Sequence, residues 1–207
     1  MERSVIFSGF GGQGLLFAGQ VLAQAAMEED REVLWIPSYG PEMRGGTAYC
    51  TVIVSEDLIG SPVVERPDVA VVLNPPSHAK FAGTVMPNGI VVTNATLVDA
   101  RVERDDIVEI ALPLSELASA AGDPRLVSVV ALGVVAARTG IVLASSVHRA
   151  LVDIVGRKKP AILEMDVTAF VAGIRAAGGR PIAEIIREET LAVEAAGMRT
   201  APVGREP

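Results

Sequence analysis

Cysteine is almost missing from this chain of 207 residues: Cys50 is its single thiol. No internal disulfide can form. An iron–sulfur cluster takes four thiolates, and a structural zinc site takes four Cys or His ligands. With Cys50, His78 and His148 as the complete set, the chain holds neither group by itself. The same scarcity fits a reducing, cytoplasmic compartment. Lysine occurs only at Lys80, Lys158 and Lys159, and the formal net charge is −7. Nucleic-acid binding needs clustered excess base, which is absent. Aromatic residues make up 4%, too few for base-stacking platforms. Nucleic acid is therefore excluded as a partner. The longest apolar run, at 127–137, is broken by Ser128 and Gly133 and is too short to cross a bilayer. No membrane partner is expected either. Glu2 and Arg3 precede a short apolar run that reads as a strand, not a signal peptide.

What is present describes a folded domain. Hydrophobic residues make up 50% and charged residues 21%, enough apolar surface for a full core. Short β-branched runs at 4–7, 32–36, 47–54, 68–73, 89–93 and 107–111 read as strands, with a further short one at 63–64. Pro37 is expected to close the second. The run at 68–73 is nearly continuous in apolar residues, as in strands covered on both faces. Helical periodicity marks 15–27, 126–139, 147–155 and 166–177, with short helices near 78–81 and 115–121. Strands alternating with helices mean an α/β sandwich with a mostly parallel sheet. The helices after Leu126 have no strands between them and form extra C-terminal helices. One domain is expected over 1–195, followed by a flexible tail at 196–207.

Two loops carry the chemistry. Gly9-Phe10-Gly11-Gly12-Gln13-Gly14 follows a strand and opens a helix. Glycines there let the backbone approach an anion, and the helix N-terminus offers free N–H groups. Gln13 adds an amide. A dinucleotide fold also wants an acidic residue at the end of the second strand. Ile36, Pro37 and Ser38 stand there instead, which speaks against NAD. The alternative is that the glycines serve only a tight turn and close helix–sheet packing. The second loop, at 38–47, brings Tyr39, Glu42, Arg44, Gly45 and Gly46 together at the C-terminal end of a strand, the edge where ligands bind in open α/β sheets. Arg44 can clamp a carboxylate or phosphate in bidentate fashion. The alternative is a solvated Glu42–Arg44 surface pair. Asn74 lines the same cleft or simply caps the next helix. His78 and His148 read as surface residues, and Cys50 as a buried apolar filler. No catalytic nucleophile stands out.

Together the two loops resemble the gamma subunit of 2-oxoacid:ferredoxin oxidoreductases. The resemblance extends from the glycine loop and PSYGPEMRGGTAYCTVIVS (37–55) through Asn74-Pro75-Pro76-Ser77 and Gly122-Asp123-Pro124-Arg125 to about Phe170. The Tyr-Gly-Pro-Glu-Met-Arg-Gly-Gly form is most similar to the 2-oxoglutarate and branched-chain 2-oxoacid types, with 2-oxoglutarate the expected substrate. Ser128 stands where the family often carries Asn. The resemblance implies a Rossmann-like three-layer sandwich. It implies oxidative decarboxylation of a 2-oxoacid on thiamine diphosphate, acyl transfer to coenzyme A and electron transfer to ferredoxin. Thiamine diphosphate, magnesium and iron–sulfur clusters would sit in alpha, beta and ferredoxin-like delta partners, with no cofactor held by this chain alone. Gly11, Gly12, Gln13, Gly14, Tyr39, Glu42, Arg44, Gly45, Gly46 and Asn74 are the expected ligand-binding residues. A stand-alone nucleotide-binding module and a purely structural subunit remain the alternatives.

Overall fold

A computed structural model describes residues 2–38, 47–156 and 159–178. Six strands form one sheet, in chain order β1 (Arg3–Gly9), β2 (Glu32–Ser38), β3 (Ala48–Ser55), β4 (Val69–Val72), β5 (Ile90–Asn94) and β6 (Val108–Leu112). Their spatial order is β2-β3-β1-β4-β5-β6. β1, β4, β5 and β6 run parallel. β3 is antiparallel to both β1 and β2, so one strand alone is reversed. The expected strand at 63–64 does not form. Val63 is exposed and Val64 only half-buried, so little packing rewards extension. Pro37 does not close β2, because it pairs with Cys50 inside the strand. β2 is an edge strand, where a missing N–H is tolerated.

β4 is buried along its whole length, and its uninterrupted Val-Ala-Val-Val follows from having layers on both faces. On one face lie α1 (Leu15–Met27), α3 (Leu114–Ala120), α4 (Val127–Thr139), α5 (Ala144–Val155) and α6 (Pro160–Ala176). On the other lies α2 (Pro75–Phe81), whose Phe81 joins Ile6, Ala70, Val72 and Val91 in a smaller core. The result is the three-layer arrangement expected. α4 is apolar all round (VSVVALGVVAART) and is the most enclosed helix, with ten consecutive buried residues. A helix without a polar stripe has to be covered on every side. α1, α3, α5 and α6 all pack on it. The C-terminal helices therefore complete the main core.

Two close approaches fix the layers. Gly19 of α1 faces Cys50 and Trp35, and a Cβ there would come within 2.6 Å of Cys50 Sγ. Gly133 of α4 and Gly173 of α6 face each other across the most extensive helix–helix contact. Small residues at these points let backbones approach to a distance that longer side chains would prevent.

Candidate functional site

The turn after β1 is built by its own residues. The Phe10 N–H donates to Gln13 Oε1 at 2.6 Å, and the Gln13 N–H donates to the Phe10 carbonyl at 3.3 Å. The Gln13 side-chain amide oxygen thus helps to close the loop. Gly12 and Gly14 have φ of +91° and +74°, in the left-handed region that glycine enters without a Cβ penalty. Gly14 is also crowded: a Cβ there would lie 2.8 Å from Ser128 Oγ and 3.0 Å from the Arg125 carbonyl. Gly14 is the N-cap of α1, and no side chain caps that helix. The N–H groups of its first turn are left open, at the positive end of the helix dipole.

Those N–H groups open into a cleft of about 760 Å³. Its floor is Phe10, Gly11, Gly12 and Gly14 with Leu15 to Phe17. The walls come from the 123–126 turn, the end of α5 (Ile154, Val155) and the start of α6 (Ile162, Met165, Asp166). Most of this lining is apolar, as in ligand pockets that use a few polar groups for orientation. The ionisable lining is Asp123, Arg125, Lys159 and Asp166. Arg125 Nε donates to Asp123 Oδ2 at 2.9 Å. That hydrogen bond, above all, holds the Asp123 carboxyl down to about 2. Asp166 is the opposite case. It is 2% exposed, and burial, with the Asp123 charge second, pushes its carboxyl up to about 6.

The expected residues divide into three groups. Gly11, Gly12 and Gly14 line the cleft, and Gln13 turns back into the loop. Asn74 caps α2, its Oδ1 accepting from the Ser77 N–H at 2.8 Å, and it is not in the cleft wall. Tyr39, Glu42, Arg44, Gly45 and Gly46 lie outside the described residues, but the flanking Ser38 and Ala48 both line the cleft. His78 is not a surface residue. It is buried, with Nε2 3.8 Å from Glu109 Oε1 of β6, because α2 lies over β1 and β4 on the second face. Cys50 is fully buried, as expected of a filler, and donates to the Leu15 carbonyl. Asp123 stands in the sequence as part of the Gly122–Arg125 motif and Lys159 as one of three lysines, neither with a site role, and Asp166 has no signal, since a lone Asp inside a helical pattern carries none.

A mixed six-stranded sheet between two helical layers, with an open glycine turn beside an apolar cleft, defines an α/β domain. The family model for pyruvate ferredoxin/flavodoxin oxidoreductase matches residues 4–176, and the chain belongs to that family. It is 38% identical over 172 residues to the ketoisovalerate oxidoreductase subunit VorA of Methanothermobacter thermautotrophicus, covering 83% of this chain and 36% of VorA. It is 31% identical over 180 residues to the 2-oxoglutarate synthase subunit KorC of Methanocaldococcus jannaschii, covering 86% and 95%. The chain thus spans about a third of the VorA relatives and nearly all of KorC. Among solved structures, it is similar to the keto/oxoacid ferredoxin oxidoreductase gamma subunit of Geobacter sulfurreducens, with TM-score 0.73 and 28% identity over 84% of this chain and 98% of that one. It also shares the fold of part of the 2-oxoglutarate:ferredoxin oxidoreductase of Magnetococcus marinus, solved with 2-oxoglutarate, coenzyme A and succinyl-CoA bound. There the TM-score is 0.76 and the identity 22%, over 86% of this chain and 31% of that one.

Proposed function

We propose that the chain is the gamma-type subunit of a 2-oxoacid:ferredoxin oxidoreductase. In this reading it supports decarboxylation of a 2-oxoacid to acyl-CoA and CO2, with electrons passed to ferredoxin. The observation that carries the reading is the cleft: an uncapped helix N-terminus and three loop glycines facing an apolar chamber large enough for a small organic anion or part of coenzyme A. Gly11, Gly12 and Gly14 supply backbone, and Arg44 supplies the bidentate clamp on a carboxylate or phosphate. Tyr39, Glu42, Gly45 and Gly46 complete the second loop.

The described residues do not fit an iron–sulfur cluster. Among the described residues no three His, Cys, Asp or Glu side chains gather as a metal site. Cys50 is buried, with its thiol pushed up to about 12 mainly by desolvation, the reverse of a thiolate ligand. Thiamine diphosphate, magnesium and iron–sulfur clusters belong to alpha, beta and ferredoxin-like delta partners. No helix among the described residues is long and apolar enough to cross a membrane, and a cytoplasmic location is part of the same reading. The substrate is 2-oxoglutarate or a branched-chain 2-oxoacid, the two chemistries named for KorC and VorA.

The test is co-purification from the native source with this chain tagged, then oxoacid-dependent viologen reduction by the eluate. Larger subunits with coenzyme A-dependent reduction support the gamma reading, and the fastest oxoacid names the substrate. A chain that elutes alone and inactive points to an isolated nucleotide-binding module.

A further inference from the structure

The cleft contains one group that the fold does not use. Asp166 sits on α6, 2% exposed, and lines the same chamber as the glycine turn. Among the described residues it takes part in no hydrogen bond and no ion pair, although a buried carboxyl without partners is costly. Among the described residues, the charged groups around it do not neutralise it. Arg125, from the 123–126 turn, is committed to Asp123. Asp123 itself adds like charge. Lys159, at the start of α6, lines the cleft but makes no ion pair with Asp166. α5 and α1 contribute only uncharged side chains to the wall. α4, packed behind α6, carries its one charged side chain, Arg138, at its far end near Ala177. The same cleft is lined by the first turn of α1, which has no side-chain cap and favours an anion.

Two independent features therefore meet in one chamber: an anion-seeking helix terminus and a carboxyl with nothing to accept from. An ionised Asp166 would repel any anion seated at α1, whereas the acid form would bond to it. We propose that Asp166, as the neutral acid, donates a hydrogen bond to an anionic oxygen of an organic ligand seated against the N-terminus of α1, so that the cleft takes up one proton with its ligand. The ligand class is a carboxylate or phosphate ester on an apolar or amide-bearing body. The inference rests on the gamma-subunit reading for its two sources, the 2-oxoacid and coenzyme A. Burial places the carboxyl near 6, which sets the pH range in which uptake is visible.

The experiment is calorimetric titration of the full chain between pH 6 and 8.5 with coenzyme A, 3-methyl-2-oxobutanoate, 2-oxoglutarate and inorganic phosphate. Each titration is run in two buffers of different ionisation enthalpy. The expected result is binding of an organic anion whose Kd weakens about tenfold per pH unit above pH 7, with proton uptake approaching one. The probe that shows this identifies the source, and phosphate binding alone counts against the proposal because it leaves the chamber unused. A phosphate ester has its own ionisation near pH 6, so Asp166→Asn supplies the reference. The amide keeps a donor and loses the titration, so its Kd should lack the additional slope. Circular dichroism checks that the variant folds, and the two-buffer proton count on the unaltered chain stands without it. A flat Kd in the unaltered chain, equal slopes in both proteins, or no binding by any organic probe overturns the proposal. Viologen reduction by the complex is scored separately: activity with flat binding removes only this inference, and proton-linked binding without activity removes only the gamma reading.

Discussion

Alanine at Gly173 is the sharpest probe of how this fold is held. The intrinsic effect favours the substitution, since Gly→Ala in a helix interior gains about 1 kcal/mol. The tertiary effect opposes it. A Cβ at Gly173 would land on the Val130 carbonyl and lie 2.9 Å from the Val130 carbonyl carbon. Both are backbone atoms of α4, so no rotamer change relieves the contact and the helices have to separate. Overpacking of this kind costs typically 1–3 kcal/mol, occasionally more. Here it opens the most extensive helix–helix contact in the chain, so the upper end applies, and the net loss is about 2 kcal/mol. Gly133→Ala meets the Phe170 carbonyl from the other side and should cost a similar amount. The double variant should lose less than the sum, because helices already spread for one Cβ admit the second. Guanidinium unfolding followed by circular dichroism measures each value. Gly60→Ala, where a Cβ meets nothing within 4 Å, is the control and should stay within about 0.5 kcal/mol. A Gly173→Ala protein as stable as the unaltered chain would refute the close-packing argument.

Asp166→Asn should raise stability at pH 7.5 and not at pH 4. The folded carboxyl sits above its ordinary value of 3.8, near 6, so the folded chain binds the proton more tightly than the unfolded one. Stability held below about pH 4 is lost as pH rises to 6, by up to ~3 kcal/mol, and the amide escapes that loss. A gain independent of pH would contradict the assignment. Cys50 should be silent to Ellman's reagent at pH 8 in the native chain and release one equivalent in denaturant, since its thiol is buried and pushed up to about 12; rapid native reaction would place it elsewhere. Asn94→Ala should cost about 2–4 kcal/mol in the same unfolding assay. Asn94 is wholly buried and donates to the Leu73 carbonyl and Ser115 Oγ, so its loss strands both partners; a change under 0.5 kcal/mol would show those bonds to be dispensable. Arg44→Lys keeps the charge and loses the fork. It should raise KM for the oxoacid or coenzyme A in the assembled complex, and unchanged kinetics would remove Arg44 from the site.

The sequence by itself determined the layers. Local patterns are enough for β4, whose unbroken apolar run requires cover on both faces, and for α1, bounded by Gly14 and the charges at 28–31. They are enough for the glycine turn as well, because the left-handed φ at Gly12 and Gly14 is a local demand that the residue type meets. Composition already showed that one Cys and two His are too few for an iron–sulfur cluster or a structural zinc site. Only the tertiary structure decided the rest. The reversal of β3 depends on pairing partners distant in the chain, and no residue within 48–55 encodes a direction. His78 is buried because α2 lies across β1 and β4, a placement its neighbours in sequence do not specify. Gln13 was legible as a polar loop residue, but its use in closing the loop depends on a turn that brings its side chain back onto Phe10. Asp166 is the clearest case. Along the chain it is one acidic residue in an amphipathic helix, and it comes to line the cleft only because α6 packs on α4. Periodicity and turn chemistry act over a few residues, whereas a cleft is assembled from segments more than a hundred residues apart.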